Sequence, residues 1–147
     1  MTVGSALRLA QAAVRVMVKE EICPTVVVGR DTRASGEMLE SAIAAGLASN
    51  GIHVLLAGVV PTPAVAFLTT RYCASFGIVI SASHNAFQDN GIKFFGATGY
   101  KLKNESEGAI ESEYDRPGTY QLPTGKSVGR IHRIKEATES SAESLFA

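Results

Sequence analysis

In residues 4–20 the apolar side chains Leu7, Ala10, Val14 and Met17 recur at helical spacing, with Arg8, Gln11, Arg15 and Lys19 between them. The pattern predicts an amphipathic helix stopped near Pro24. Residues 25–29 (TVVVG) are apolar without alternation, as expected of a strand covered on both faces. A second helix is expected with Met38, Leu39, Ala42, Ile43, Gly46 and Leu47 as its apolar stripe, Ser35 as its cap and Asn50-Gly51 as its stop. Residues 52–57 (IHVLLA) predict the next strand, and Thr62-Pro63 reads as an N-cap and first helical position. Residues 65–72 then form a short helix and residues 76–81 a third strand.

Strand, helix, strand, helix, strand with tight connections means two crossover units, hence a parallel sheet with helices against it. The loop at 82–91 is too short for another helical crossover, so the strand at 92–95 is expected to run antiparallel. The fold class is α/β, a three-layer α/β/α sandwich with a mixed, mostly parallel sheet. Further on, residues 104–114 (NESEGAIESEY) read as a surface helix with few buried positions, and 115–128 as loop. We expect one domain over 1–128. Residues 129–147, with their strand-like RIHRI, read as the start of a connection to a second domain.

Composition narrows the function more than the fold. At 147 residues the chain is long enough for one buried core, and 46% hydrophobic with 19% charged residues is ordinary for a globular protein. Lys+Arg and Asp+Glu are 14 each, so no general electrostatic attraction to nucleic acid or an anionic membrane is expected, while a local phosphate site stays open. No apolar run approaches a membrane span and the N-terminus lacks signal-peptide features; the expected location is the cytoplasm. Cys23 and Cys73 stand far apart without a CxxC partner, which predicts two buried thiols rather than a zinc site or disulfide.

Chemistry concentrates where the apolar pattern breaks. In GIVISASHNAFQDNGIKFF (77–95) a buried-looking strand opens into a polar loop at what should be the carboxyl end of the sheet, where ligands of open α/β sheets sit. Ser83 offers a hydroxyl, His84 and Asn85 offer donors, Gly91 permits close backbone approach, and Lys93 adds a cation suited to a phosphate or to proton transfer. The same residues also suit a plain turn followed by a solvated strand lysine. GRDTRASG (29–36) lies beyond the same sheet edge, at a helix N-terminus with Arg30 and Arg33, and again either binds an anion or merely pairs Asp31 with an arginine. His53 and His132 are scattered and make no metal triad. GxSxG and P-loop signatures are missing.

Taken together, GRDTRASG (29–36), PTPAVAFLTT (61–70), GIVISASHN (77–85) and DNGIKFF (89–95) resemble, in order, the first domain of the α-D-phosphohexomutase superfamily, most closely its glucosamine branch. The resemblance implies that Ser83 carries a phosphoryl group, gives it to a sugar phosphate and recovers it from a bisphosphate. Glucosamine 6-phosphate and 1-phosphate would thereby interconvert, with Mg2+ on the phosphoserine. It gives His84 and Asn85 the task of shaping the loop, Lys93 an acid/base role beside the phosphoryl group, and Arg33 support of the site. It also implies an opening GTDGIRG-like segment, acidic DGDGDR metal ligands in a second domain, and further sugar- and phosphate-binding domains. None of these is in the sequence, so the chain is expected to be domain one, lacking domains 2 to 4 and weak or inactive alone. Related glucosamine-type enzymes pair through this domain, so a homodimer is a further expectation. Ala86 stands where the motif usually has proline, which should loosen the loop. The rival expectations are a glucose- or mannose-phosphate mutase fragment and a non-catalytic sugar-phosphate-binding or dimerisation module.

Overall fold

The computed structural model describes residues 1–19, 23–81 and 91–135. Its elements are α1 (Val3–Met17), β1 (Thr25–Arg30), α2 (Ala34–Ala48), β2 (His53–Val59), α3 (Thr62–Arg71), β3 (Phe76–Ile80), β4 (Ile92–Gly96), α4 (Asn104–Asp115) and β5 (Ile131–Arg133). The strands form one sheet in the order β4-β3-β1-β2-β5. β1 pairs parallel with both β2 and β3, as the two crossovers require, and β4 returns antiparallel to β3. β5, in the segment expected to lead toward a second domain, pairs parallel with β2.

Side-chain alternation along the strands builds two cores. On one face Val26, Val28, Ile78, Ile80, Ile92 and Phe94 meet Leu9, Ala13, Leu39, Ile43, Leu47 and Ile110 from α1, α2 and α4. On the other, Val27 and Val79 meet Ala64, Val65 and Leu68 of α3. These are the three layers that the sequence implies. Phe76 and Phe94 are fully buried with ring centroids 6.3 Å apart, and each contributes roughly 1.5–3 kcal/mol by leaving water. The α3 layer sits close because two strand residues have no side chain. A Cβ on Gly29 would overlap Val65, and one on Gly77 would overlap Thr69.

Several expectations need correction. α1 ends at Met17, short of residue 20, after a start at Thr2, whose hydroxyl accepts the Ser5 N–H. α2 is not capped by Ser35. Its N-cap is Arg33, and Asp31, two residues before, accepts the Arg33 N–H at 3.2 Å; a local Asp turn thus displaces the serine cap. Met38 is not in the stripe but 48% exposed, and Glu40 is buried instead. α3 takes Pro61 as N-cap, one residue earlier than expected. α4 is, as expected, a surface helix with few buried positions: only Ile110 is buried, against the α1 face.

The cysteines are both exposed rather than buried. Each lies before a strand, at left-handed φ of 53° and 52°. For Cys73 the cause is visible: its N–H and that of Ala74 bond back to Thr70 and Thr69, which puts it at the turn-out position after α3, usually a glycine's place.

Arg8 stacks on Tyr114 at 4.6 Å, and Arg15 lies 3.7 Å over the Tyr120 ring, fastening α1 to α4 and the following loop. Tyr120 also donates to Glu113. That hydrogen bond, with desolvation and the Glu113 charge, raises the phenol pKa against the opposing effect of Arg15. A raised folded-state pKa means that the associated stability is present below the unfolded tyrosine pKa and lost as pH rises through the folded one. Phenolate absorbance should therefore show Tyr120 ionising after an ordinary tyrosine, and Glu113→Gln should bring it back; an unmoved titration in that variant would refute the assignment.

Candidate functional site

The carboxyl edge of the sheet is built from β1 and β3. Their parallel register places Arg30 beside Ile80, and the Asp31 N–H donates to the Ile80 carbonyl at 3.0 Å, so both chains turn outward together. One residue on, the Ser81 N–H donates to the Gly91 carbonyl at 2.6 Å, closing the base of the loop that leaves β3 and returns as β4. Ser83, His84 and Asn85, with Ala86 and Asp89, lie between β3 and β4 in the sequence and outside the described residues.

Gly91 is required at the return point. Its φ is +76°, and a Cβ there would stand 2.9 Å from the Ser81 carbonyl and 3.7 Å from Arg33 Nη2. A non-glycine side chain faces both a disfavoured backbone and a fixed carbonyl. Gly91→Ala should lower stability by about 1–3 kcal/mol and speed amide exchange at Ile92 and Lys93; unchanged exchange and melting would contradict this account of the loop base.

Arg33 is fixed by Asp31. Besides the bond to the Arg33 N–H, the Asp31 carboxylate faces Arg33 Nε at 3.4 Å. The pairing foreseen as the plain reading of GRDTR is therefore present, yet the guanidinium still ends beside Gly91, at the exit of the loop. Lys93 lies two residues farther along β4, opposite Val79. Ile92 and Phe94 enter the α1/α2 core, so strand alternation puts Lys93 on the α3 face. The structure thus brings Arg33 and Lys93 to the same end of this connection, Arg33 beside Gly91 and Lys93 two residues on.

His53 is elsewhere, with Nδ1 accepting the Arg130 N–H at 3.2 Å, and His132 is exposed on β5. Arg30 and Glu40 are additions that the sequence reading did not single out as a pair: Arg30 Nε and Glu40 Oε2 are 3.4 Å apart beneath α2. A glutamate on the apolar side of a helical stripe was the available signal. Among the described residues no group of three or more His, Cys, Asp or Glu side chains could hold a metal ion. They do not fit a magnesium site by themselves. No described helix is long and apolar enough to cross a membrane.

Comparison with known proteins agrees with this architecture. Residues 1–121 match the family described as phosphoglucomutase/phosphomannomutase, alpha/beta/alpha domain I. The phosphoglucosamine mutase of Syntrophomonas wolfei is 49% identical over 151 aligned residues, which cover 100% of this chain and 33% of that protein. That of Corynebacterium jeikeium is 54% identical over 136 residues, 89% of this chain and 30% of that protein. Among solved structures, a phosphoglucomutase/phosphomannomutase family protein from Burkholderia thailandensis superposes with a TM-score of 0.72 at 26% identity, over 92% of this chain and 30% of that one. The chain spans about a third of the length of the curated relatives it matches. With a family match over residues 1–121 and a sheet of the same fold, the chain belongs to the phosphoglucomutase/phosphomannomutase family, as its α/β/α domain I.

Proposed function

We propose that this chain is the phosphoryl-carrying domain of a phosphoglucosamine mutase, with Ser83 as the carrier. The observation that supports it most directly is positional: the SASHN segment leaves β3 at the carboxyl edge, and its return at Gly91 is flanked by Arg33 and followed by Lys93. The relatives' names supply the amino-sugar specificity of the proposal.

In the proposed forward step, the anomeric hydroxyl of glucosamine 6-phosphate attacks the phosphorus of phosphoserine 83. A P–O bond forms to the sugar, the P–Oγ bond breaks, the leaving serine oxygen takes up a proton, and the sugar hydroxyl proton passes to a base, for which Lys93 is the candidate. The bisphosphate then presents its 6-phosphate to Ser83 Oγ. A P–Oγ bond forms as the P–O6 bond breaks, the serine gives up its proton while the base returns one to the sugar O6, and glucosamine 1-phosphate leaves. Transfer of this kind asks chiefly for positioning and positive charge around the phosphoryl oxygens. Arg33 supplies charge at the loop exit, while His84 and Asn85 shape the loop. The sugar grip and metal ligands belong to residues outside the described set, so the chain alone is expected to show little or no turnover.

Intact mass tests the carrier directly. The chain grafted in place of the matching third of the Syntrophomonas wolfei phosphoglucosamine mutase and incubated with glucose or glucosamine 1,6-bisphosphate should gain one phosphoryl group, removable by phosphatase and absent in Ser83→Ala. Phosphorylation that persists in Ser83→Ala would overturn the assignment.

A further inference from the structure

Arg30 and Glu40 have no part in the steps above, yet the structure joins them in series to Arg33. Glu40 is 4% exposed, on the side of α2 that faces the sheet. Its Oε2 lies 3.4 Å from Arg30 Nε, and neither atom has an aligned hydrogen bond among the described residues, so charge rather than directional bonding holds the pair. Arg30 Nη1 reaches the Asp31 carbonyl at 3.5 Å. The Asp31 carboxylate holds Arg33 through its N–H and Nε, and Arg33 Nη2 ends beside Gly91.

A buried ion pair is a poor device for stability alone, because desolvating both charges cancels much of their attraction, and a well-packed apolar pair often does as well. Its placement is more informative. β1 ends at Arg30, α2 begins at Ala34, and the three residues between them must hold one conformation for Arg33 to meet the loop. We propose that Glu40 and Arg30 are positioning residues, whose buried ion pair sets the Asp31 turn and thereby holds the Arg33 guanidinium beside Gly91, where β4 begins. Its catalytic consequence rests on the mutase reading; its geometric content does not.

The decisive variant removes both charges together. Glu40→Gln alone leaves Arg30 uncompensated and can simply unfold, whereas Arg30→Met with Glu40→Leu restores an apolar layer. In nitrogen-15 spectra of the chain, the wild-type Arg33 Nε–H should give a signal displaced from that of a free arginine by the Asp31 carboxylate 3.4 Å away. The double variant should melt near the wild type yet lose that signal to the position of a free arginine. A role in stability alone predicts that the signal survives with the fold, and its survival would overturn the proposal.

A second readout uses the chain grafted in place of the matching third of the Syntrophomonas wolfei enzyme. There the double variant should lower kcat roughly 10- to 100-fold, as small displacements near a reacting group do, with KM little changed. Unchanged kcat would equally overturn the positioning role. Should the Ser83→Ala graft remain active, the mutase reading fails by itself, and the Arg33 signal alone then decides the geometric claim.

Discussion

Ser83→Ala should abolish mutase turnover, by roughly 10⁴-fold or more, the scale seen when a covalent nucleophile is removed. The measurement needs a complete enzyme, so the chain is placed in the Syntrophomonas wolfei phosphoglucosamine mutase, with which it is 49% identical over its whole length. Alanine removes only the hydroxyl and fits any backbone that serine adopts, so folding and substrate affinity should be unaffected. A loss in kcat at constant melting temperature is therefore the expected result. The parallel variant Lys93→Met should be milder, since proton transfer typically accounts for about 10²–10⁴-fold, and its deficit should shrink where solution base can substitute. If Ser83→Ala turns over like the wild-type graft, the phosphoryl carrier lies elsewhere and the proposed function is wrong.

Gly77→Ala should be the most damaging single methyl addition to the central sheet, costing about 3 kcal/mol. Gly77 lies on β3, with neighbours on both sides, and a Cβ there would overlap Thr69 Oγ1 while standing 3.3 Å from Val65 Cγ1. Thr69 cannot rotate away without cost. It is fully buried, and its hydroxyl already donates to the Val65 carbonyl at 2.7 Å. The methyl must therefore push α3 off the sheet or force Thr69 from its hydrogen bond. Denaturant unfolding should show the loss, and Thr69→Ala should recover much of it, because removing the hydroxyl makes room. Gly77→Ala with wild-type stability, or the same penalty in both backgrounds, would show that α3 does not rest on this contact.

The layers were legible because helix and strand periods differ along the sequence, and because the short loop before Ile92 left the antiparallel return as its expected course. Less legible was whatever depended on one side chain outcompeting another. Ser35 is a good cap by residue type, and only the geometry of the β1-to-α2 turn makes Arg33 the N-cap, with its N–H taken by Asp31. The thiols looked buried because cysteine usually is, but the Cys73 backbone closes α3 and is exposed by that position. In the candidate site, the sequence brought Arg33 and the loop to one edge. The Glu40–Arg30 pair behind them stayed hidden, since a single glutamate in an apolar stripe carries no mark of its partner.

β5 adds a constraint on any larger assembly. Running parallel to β2, it carries the backbone past Arg133 toward the same edge from which the SASHN loop emerges. A domain attached after this strand would thus start at the edge of the sheet where β3 ends, needing only a short tether to cover that edge. Chain direction, rather than a long hinge, would then decide which face of domain I becomes the wall of a cleft, and reversing that last strand would point the same attachment away from the chemistry.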